Sequence, residues 1–436
     1  MRRCLRHFAA LGVAFLLASA LAAGPALAAK KEAKPPAPQY SKAFVAIAKD
    51  VEKAVKAEQW DNAIVALDRM LAMPELSVDE KRYAYGQKIM ATQKKGDKAA
   101  FAATIESYLG TGAVPEDFVA PLNQQLAAHY SAQKDTAKAT MYFERYVEAT
   151  PTAGTSEYET LGRLYLQQKD CANGLKWLGK AIDTATAKGS PVQESWLQYR
   201  DRCYIDMEDK EGRLANIEEL ARRFPKKDYY SRLLALYTQG AKDDRALHIG
   251  VFRLALRDTG LATVGEYLAA ADAMLSAGSP GEAVRALERG MKEGVVPTGG
   301  SNAQTLQEAK DRLSEDRKAL PVDEKAAARN PKGEVDVKLG LGYYSLGEWN
   351  KAIELVERGL AKGGVKRIDD AHLLLGCALA ELGRYADAKA AFGRAAEAAG
   401  PGSYMARLAA LWSAYVDRIG GGGPVPAPAA AEPPAG

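Results

Sequence analysis

Catalytic and metal-binding side chains are scarce in this sequence. Of its 436 residues only four are histidine and four are cysteine. The histidines beyond position 28, His129, His248 and His372, are isolated from one another. None of the spacings HExxH, CxxC or GxSxG occurs, and no glycine-rich loop follows a predicted strand. The sequence therefore predicts no enzyme, no bound metal and no cofactor.

The chain also lacks an excess of charge of one sign. Its formal net charge is +4, and three positive charges (Arg2, Arg3 and Arg6) lie in the segment 1–28, so the remainder carries 4 − 3 = +1. A near-neutral chain of mixed charge argues against nucleic acid as a partner. Period-two alternation of β-branched residues is equally rare, which predicts an all-α protein.

Long hydrophobic runs are absent beyond position 28. The segment 1–28 begins with arginines, continues with an apolar run at 8–21 and ends in Ala26-Leu27-Ala28, the pattern of a secretory signal peptide. We expect cleavage before Ala29 or before Lys30. No later stretch approaches the roughly 20 apolar residues that span a bilayer, which predicts no transmembrane segment after cleavage. The alanine-rich leader favours export to the periplasm of a Gram-negative bacterium.

One pattern occurs twice between residues 335 and 399. The first copy reads LGLGYYSLGEWNKAIELVERGL from Leu339, and the second reads LGCALAELGRYADAKAAFGRAA from Leu375. Small residues match small ones and large residues match large ones at an offset of 36: Gly340 with Gly376, Gly347 with Gly383, Trp349 with Tyr385, Ala352 with Ala388, Val356 with Phe392 and Gly359 with Ala395. Such a repeat predicts two stacked helical hairpins.

These residue types fit two antiparallel helices, named helix A and helix B of each hairpin. Small residues let the helix axes approach where they cross, and large residues fill the space around the crossing. Gly347 is expected to end helix A, because glycine readily adopts the left-handed conformation found at helix ends. The pattern resembles the tetratricopeptide repeat (TPR). This resemblance implies a right-handed superhelical solenoid that binds proteins in its concave groove.

Weaker copies of the pattern precede this pair, and together they predict about nine TPR or TPR-like hairpins. Residues 301–331 fit the pattern least: a long helix to Leu320 and a short one from Pro321 predict a degenerate hairpin, with a hinge as the alternative. The predicted organisation is a signal peptide at 1–28, a disordered spacer at 29–40, a TPR-like array at 41–300, the degenerate segment at 301–331, two well-formed TPRs at 332–400, a capping helix at 401–419 and a disordered tail at 420–436.

In a TPR solenoid the A helices line the concave side. The TPR register places seven residues there: Glu159, Arg163 and Leu166 in the middle of the chain, and Leu341, Tyr344, Leu373 and Cys377 in the C-terminal pair. Tyr344 beside Leu341 could hold an extended peptide or a helix of a partner. The alternative is that these residues pack the hairpins together, and both interpretations stay open.

Two cysteines lie in neighbouring predicted hairpins. Cys171 begins a helix B, and Cys203 lies near the end of the next helix A. They could form a disulfide in an oxidising compartment. They could equally be two small buried hydrophobic residues. Cys377 is expected to be packed in the interior.

A narrower resemblance covers residues 228–295. It is similar to periplasmic TPR proteins associated with the TonB–ExbB–ExbD system, and the residues that carry it are Asp243-Asp244-Arg245, Tyr267, Gly278, Pro280, Glu282-Ala283, Leu287-Glu288 and Gly290. The resemblance implies a non-enzymatic exported scaffold that assists TonB-dependent transport, with TonB-complex components as partners. The alternative is a cell-envelope module that assists peptidoglycan or polysaccharide assembly or export.

Overall fold

The computed structural model describes residues 39–421, and every regular element in that range is an α-helix. The predicted fold class, an all-α array of TPR-like hairpins, is confirmed for these residues. The helices form two compact units, which divide between Val192 and Gln193, inside the array predicted at 41–300. The predicted signal peptide and most of the predicted spacer and tail lie outside the described residues.

The N-terminal unit contains four hairpins. Its apolar core consists of clusters that neighbouring hairpins share: Leu67 of the first hairpin lies in one cluster with Ala84 of the second, and Ile105 of the second lies in another with Leu126 of the third. The helices are α1 (Lys42–Lys56), α2 (Trp60–Leu71), α3 (Val78–Lys95), α4 (Lys98–Gly110), α5 (Glu116–Ala132), α6 (Thr136–Glu148), α7 (Thr155–Gln167) and α8 (Cys171–Ala187).

The C-terminal unit contains five hairpins and two single helices. Three hairpins are followed by the single helix α15, then by two more hairpins and by the single helix α20. The helices are α9 (Glu194–Asp206), α10 (Lys210–Arg223), α11 (Lys227–Gly240), α12 (Arg245–Asp258), α13 (Val264–Ser276), α14 (Pro280–Lys292), α15 (Ser301–Ala327), α16 (Gly333–Leu346), α17 (Trp349–Lys362), α18 (Ile368–Glu381), α19 (Tyr385–Ala399) and α20 (Tyr404–Gly420).

The turn between helix A and helix B is the same in eight of the nine described hairpins. The residue two positions before helix B has a positive φ in each of them: Glu58, Gly96, Lys134, Lys169, Glu208, Gly278, Gly347 and Gly383. Gly347, with φ 83°, ends its helix A as predicted. The hairpin of α11 and α12 is the exception. Four of the eight residues are lysine or glutamate, so glycine alone does not reveal this turn in the sequence.

The small-residue positions of the repeat are confirmed as points of close approach. A methyl group added at Gly340 would lie 2.6 Å from Cγ2 of Val356 on the partner helix, and one added at Gly162 would lie 2.7 Å from Cγ of Leu178. Both distances are too short for carbon atoms that are not bonded. The two helices of each hairpin are therefore as close as the sequence pattern predicts.

Side-chain caps begin most of the B helices. The carboxylates of Asp97, Asp135, Asp170, Asp209 and Asp244 each accept a hydrogen bond from the backbone three residues on. Glu80 has a double role in the first unit. It completes the predicted capping box with Ser77, and its second oxygen accepts a hydrogen bond from the backbone of Ser41, the N-cap of α1. One carboxylate therefore caps two helices.

The prediction of two helices in residues 301–331 is wrong, because α15 continues through Pro321 as a single helix of 27 residues. Contacts with α16 and α17 hold the helix on both sides of the proline. Leu320 is buried against Gly342, and Glu324 accepts a hydrogen bond from Tyr343 and pairs with Lys351. These contacts offset the hydrogen bond that proline removes from a helix interior.

Candidate functional site

The groove predicted in the C-terminal hairpin pair is already filled. Tyr344 on α16 is 4% exposed, and Leu373 and Cys377 on α18 are 0% and 1% exposed, while Leu341 is half-buried. Of the two interpretations left open for these residues, packing between helices therefore holds for Tyr344, Leu373 and Cys377, and Tyr344 is not open to a partner. The surface formed by α16, α18 and α20, here called the C-terminal groove, holds helix α12 of the same chain.

Helix α12 lies along α18 in a fixed register. At its N-terminal end, Asp244 accepts hydrogen bonds from Arg367, with the shorter at 3.1 Å. In the middle, a methyl group added at Gly250 would lie 2.9 Å from Cδ2 of Leu373. At the C-terminal end, Arg257 pairs with Glu381 at 3.1 Å. The paired residues differ by 123 or 124 positions throughout, so the two helices run parallel.

Helix α20 supplies another wall of the C-terminal groove. Nε1 of Trp412 donates a hydrogen bond to the carbonyl oxygen of Gly250 (3.2 Å), and Arg418 donates to Asp258 (2.5 Å). A methyl group on Gly250 would also lie 2.6 Å from Cδ2 of Leu408. The predicted terminal helix is thus present, and besides lying against α19 it contacts α12. Glycine is required at position 250, because α18 and α20 both approach the backbone of α12 there and leave no space for a side chain.

A buried ion pair lies beneath α12. Arg253 donates two hydrogen bonds to Glu282 of α14 (2.8 and 2.7 Å), and its guanidinium lies 5.2 Å from the ring centre of Tyr344. Burial disfavours both charges, but their mutual attraction raises the pKa of Arg253 and lowers the pKa of Glu282. Burial also raises the pKa of the Cys377 thiol, so this cysteine stays protonated.

Acidic side chains line the α18 side of the C-terminal groove. Burial raises the pKa of Glu381, although Arg257 acts in the opposite direction. Burial likewise raises the pKa of Asp370, which lies one helical turn from the ion pair of Arg367 with Asp244. No side-chain hydrogen bond reaches the Asp370 carboxylate from any residue between 39 and 421. Asp370 is half-buried, and the positive charges of Arg253 on α12 and of Arg367 oppose the effect of burial on its pKa.

The three predicted residues of the N-terminal unit have different environments. Leu166 on α7 packs against Gly174 of α8: a methyl group added at Gly174 would lie 2.7 Å from Cδ2 of Leu166. Leu166 is therefore a packing residue of its own hairpin. Arg163 is exposed and Glu159 is half-buried. Neither makes an ion pair or hydrogen bond through its side chain within the described part of the chain. Their contact with a partner stays a prediction.

A second, open groove lies between the A helices α11 and α13 and has a volume of about 550 Å³. Its floor is apolar and consists of Leu234 and Phe252, each 8% exposed. Its edges carry small exposed residues, and Lys242 and Glu266 complete the lining. The lining residues are Ser231, Leu234, Ala235, Thr238, Gln239, Lys242, Phe252, Thr263, Gly265, Glu266 and Ala269. The sequence analysis missed this surface, because its alanines and glycine carry no distinctive pattern.

Several residues that carry the TonB-associated resemblance have packing roles. Asp244 caps α12, Pro280 occupies the first turn of α14, and Glu282 pairs with Arg253. A methyl group on Gly290 would lie 2.6 Å from Cγ2 of Val296. These residue types are therefore explained by the fold of the C-terminal unit, whichever partner the protein has.

Residues 39–421 contain neither a candidate metal site nor a candidate membrane span. This part of the chain contains no group of three or more histidine, cysteine, aspartate or glutamate side chains placed to hold a metal ion. None of its helices combines the length and apolar character needed to cross a membrane.

Cys171 begins α8 and Cys203 lies in α9, on either side of the division between the units. Their pairing stays a prediction.

The chain is similar to solved structures of TPR proteins, at low sequence identity and low TM-score. No protein-family model matches the chain, and no curated protein matches it. Among solved structures, it is similar to a tetratricopeptide repeat protein from Parabacteroides merdae, with a TM-score of 0.26 and 14% identity over 67% of this chain and 98% of that one.

It is also similar to the TPR domain of P58(IPK), with a TM-score of 0.22 and 11% identity over 86% of this chain and 98% of that one. A further similar structure is the TPR2AB domain of yeast Sti1 in complex with pHSP90, with a TM-score of 0.22 and 9% identity over 68% and 98% of the two chains. Because these TM-scores are low, the fold assignment rests on the helical hairpins observed in residues 39–421.

Proposed function

We propose that this chain is a non-enzymatic scaffold that binds another protein in the open groove between α11 and α13. The observation that carries the proposal is the apolar floor of Leu234 and Phe252, which stays open between two A helices while the C-terminal groove is filled. An apolar centre with a polar rim is the usual composition of a protein-binding surface. Concave apolar grooves are also where repeat proteins usually hold their ligands.

The partner that fits this groove is an amphipathic helix. Ala235, Gly265 and Ala269 are small and exposed, so they leave room for a helix to approach, and the floor accepts one or two apolar side chains. Lys242 is exposed and makes no ion pair within residues 39–421. An acidic residue at one end of the partner helix would complement it.

We further propose that binding takes place in the periplasm and serves TonB-dependent transport. The support is the signal-peptide pattern of the segment 1–28 and the resemblance over residues 228–295. Export is tested by fractionating the bacterium and measuring the mass of the mature chain, which is expected to begin at Ala29 or Lys30. A mature chain that retains the segment 1–28 would refute export without affecting the groove.

Site-specific photocrosslinking in cells tests the groove. A photoreactive amino acid at Ala269 is expected to capture a partner, and the same probe at Ser276, two turns further along the exposed face of α13, is the matched control. Ala235→Arg places a long charged side chain in the groove from the opposite wall and should abolish the adduct. Ala235 is exposed, so this change should leave the fold intact.

Mass spectrometry of the adduct separates the coarse proposal from the fine one. TonB, ExbB or ExbD in the adduct would support the transport role, and another periplasmic protein would support the scaffold while refuting that role. Equal crosslinking at Ala269 and Ser276, or an adduct that survives Ala235→Arg, would show that the groove is not the binding surface.

A further inference from the structure

The single helix α15 is not needed to connect the hairpins that precede and follow it. Helices α14 and α16 meet directly: the backbone N–H of Gly281 donates a hydrogen bond to Oγ of Ser345 (2.8 Å), and Arg285 donates to the carbonyl oxygen of Ser345 (2.8 Å). Helix α15 packs beside this junction and against α16, where Leu320 meets Gly342. Together α15 and α16 form the walls of a groove, here called the α15 groove.

The α15 groove is open and has an apolar floor. Its volume is about 450 Å³, and the buried side chains of Leu320 on α15 and Leu339 on α16 lie at its base. The edge on α15 is formed by Ala319 and Ala326, which are small and exposed. Val322 lies between them on the same face of α15 and is 67% exposed. The apolar surface therefore continues from the floor of the groove over its edge, on a helix that is otherwise mostly polar.

Two carboxylates of α15 line the groove without a positive partner. Asp316 and Asp323 are seven residues apart on one face of the helix, which corresponds to about 10 Å along the helix axis. Neither side chain forms an ion pair or a hydrogen bond within residues 39–421. Burial raises the pKa of Asp316, and the negative charges of Glu315 and Asp323 raise it further. The α15 wall therefore presents uncompensated negative charge beside an apolar floor.

The α16 wall does not compensate this charge. Its charged lining residue is Lys338, whose side chain is 74% exposed and whose ammonium lies 3.8 Å from Glu334, one turn earlier on the same helix. Glu324, the residue after Asp323, is in contrast already paired with Lys351 and accepts a hydrogen bond from Tyr343. Among the charged residues that line the groove, those left without a partner are the two aspartates.

We propose that the α15 groove binds an amphipathic helix of a partner protein, with two basic residues seven positions apart and a small apolar residue between them. Residues seven apart on the partner helix have the same spacing as Asp316 and Asp323, so each basic side chain meets one carboxylate. The apolar residue between them covers Leu320, and the alanines at the edge let the partner backbone approach.

This partner helix is distinguished by its charge. The groove between α11 and α13 carries Lys242 and is complemented by an acidic residue, whereas the α15 groove requires basic ones. One helix cannot satisfy both grooves with the same side chains. The two proposals therefore stand or fall separately.

Two synthetic peptides of equal composition test the proposal. Each is a fluorescently labelled, alanine-rich helix with one leucine and two lysines. The lysines are seven positions apart in the first peptide and five apart in the second, which places them on different faces of the helix. Fluorescence anisotropy with the full chain should show at least threefold tighter binding of the first peptide, and this binding should weaken as the salt concentration rises.

Variants of the full chain assign that binding to the groove. Asp316→Asn and Asp323→Asn should each weaken binding of the first peptide at least threefold. Asp311→Asn is the matched control, since Asp311 is an exposed residue of α15 outside the groove and should change the affinity less than twofold. Ala326→Arg places a basic side chain one turn from Asp323 and should block the groove. The four positions are exposed or half-buried, so an unchanged thermal midpoint is expected for each variant.

Hydrogen exchange locates the bound peptide independently of these variants. The first peptide should slow exchange in residues 316–327 and leave α11 unchanged. No binding at millimolar peptide would overturn the proposal, and so would equal affinity for the two peptides. An equal loss of affinity in Asp311→Asn, or slowed exchange in α11 and α13 instead of α15, would also overturn it.

Discussion

Replacing Glu80 by glutamine isolates the double cap of the N-terminal unit. The Glu80 carboxylate is 4% exposed and accepts hydrogen bonds from the backbone N–H groups of Ser41 (2.8 Å) and Ser77 (2.9 Å). Glutamine keeps the size of the side chain but has one acceptor oxygen in place of two. Its amide nitrogen would face one of the two N–H donors, so that bond is lost at the start of α1 or of α3.

The size of the effect follows from these contacts. A hydrogen bond to a charged group contributes about 1.5–3 kcal/mol, and a negative charge at a helix N-terminus adds about 0.3–1 kcal/mol. Some of this is recovered when water replaces the lost partner near the surface. We therefore expect Glu80→Gln to lower the free energy of unfolding of the N-terminal unit by about 2 kcal/mol at pH 7.

The effect should depend on pH. The backbone N–H groups of Ser41 and Ser77 lower the pKa of Glu80 to about 2, whereas a glutamate in an unfolded chain has a pKa of about 4.3. A lowered pKa in the folded state means that the stabilisation is fully present above the unfolded pKa and is lost as pH falls towards 2. The difference between wild type and Glu80→Gln should therefore shrink at pH 3.5.

Urea denaturation followed by circular dichroism measures the free energy, and hydrogen exchange assigns the loss to α1 and α3. Glu52→Gln is the matched control, since Glu52 is exposed on α1 and has no ion pair or hydrogen bond to another side chain within residues 39–421. A loss below about 0.5 kcal/mol relative to this control, or a difference that stays constant down to pH 3.5, would refute the reasoning.

Three other predictions concern the turn, the contact between hairpins and the cysteines. Lys169 and Gly347 both have a positive φ, which glycine adopts more easily than lysine. Lys169→Gly should therefore raise the free energy of unfolding by up to about 1 kcal/mol, and Gly347→Lys should lower it by about 1 kcal/mol. Urea denaturation measures both, and changes of the same sign would contradict the prediction. Glu144→Gln should lower the free energy of unfolding by about 1–2 kcal/mol, because the Glu144 carboxylate accepts hydrogen bonds from Tyr165 on α7 and Trp177 on α8 of the next hairpin. An unchanged urea midpoint would contradict this prediction. If Cys171 and Cys203 are paired, alkylation of the denatured, unreduced mature chain should modify one cysteine, and modification of all three would exclude the disulfide.

The hairpins could be predicted wherever the sequence keeps the packing residues of the repeat. Gly340 lies at a close contact between helices, and Gly347 has a positive φ. Glycine is the residue that fits each of these positions, so residue type alone identifies them. Lys134 and Lys169 occupy the same turn position as Gly347 and also have a positive φ, but the residue type lysine does not predict this turn. A lysine at positive φ gives no signal in a single sequence.

The filled groove could not be predicted, because it depends on contacts between distant segments. Residue type and TPR register placed Tyr344 and Cys377 on the inner face of the helix pair, but neither identifies the occupant of that face. Arg257 and Glu381 are far apart in the sequence, and nothing local to either specifies the other. The poor fit of α12 to the repeat pattern was the available signal, since Gly250 and Arg253 serve the groove.

A double-mutant cycle between Arg257 and Glu381 tests most directly whether α12 occupies the C-terminal groove. The free energy of unfolding is measured for wild type, Arg257→Ala, Glu381→Ala and the double variant. The two side chains are 16% and 18% exposed and form an ion pair at 3.1 Å, so we expect a coupling energy of about 1–3 kcal/mol. Additive effects, with a coupling below about 0.3 kcal/mol, would show that the two helices do not meet.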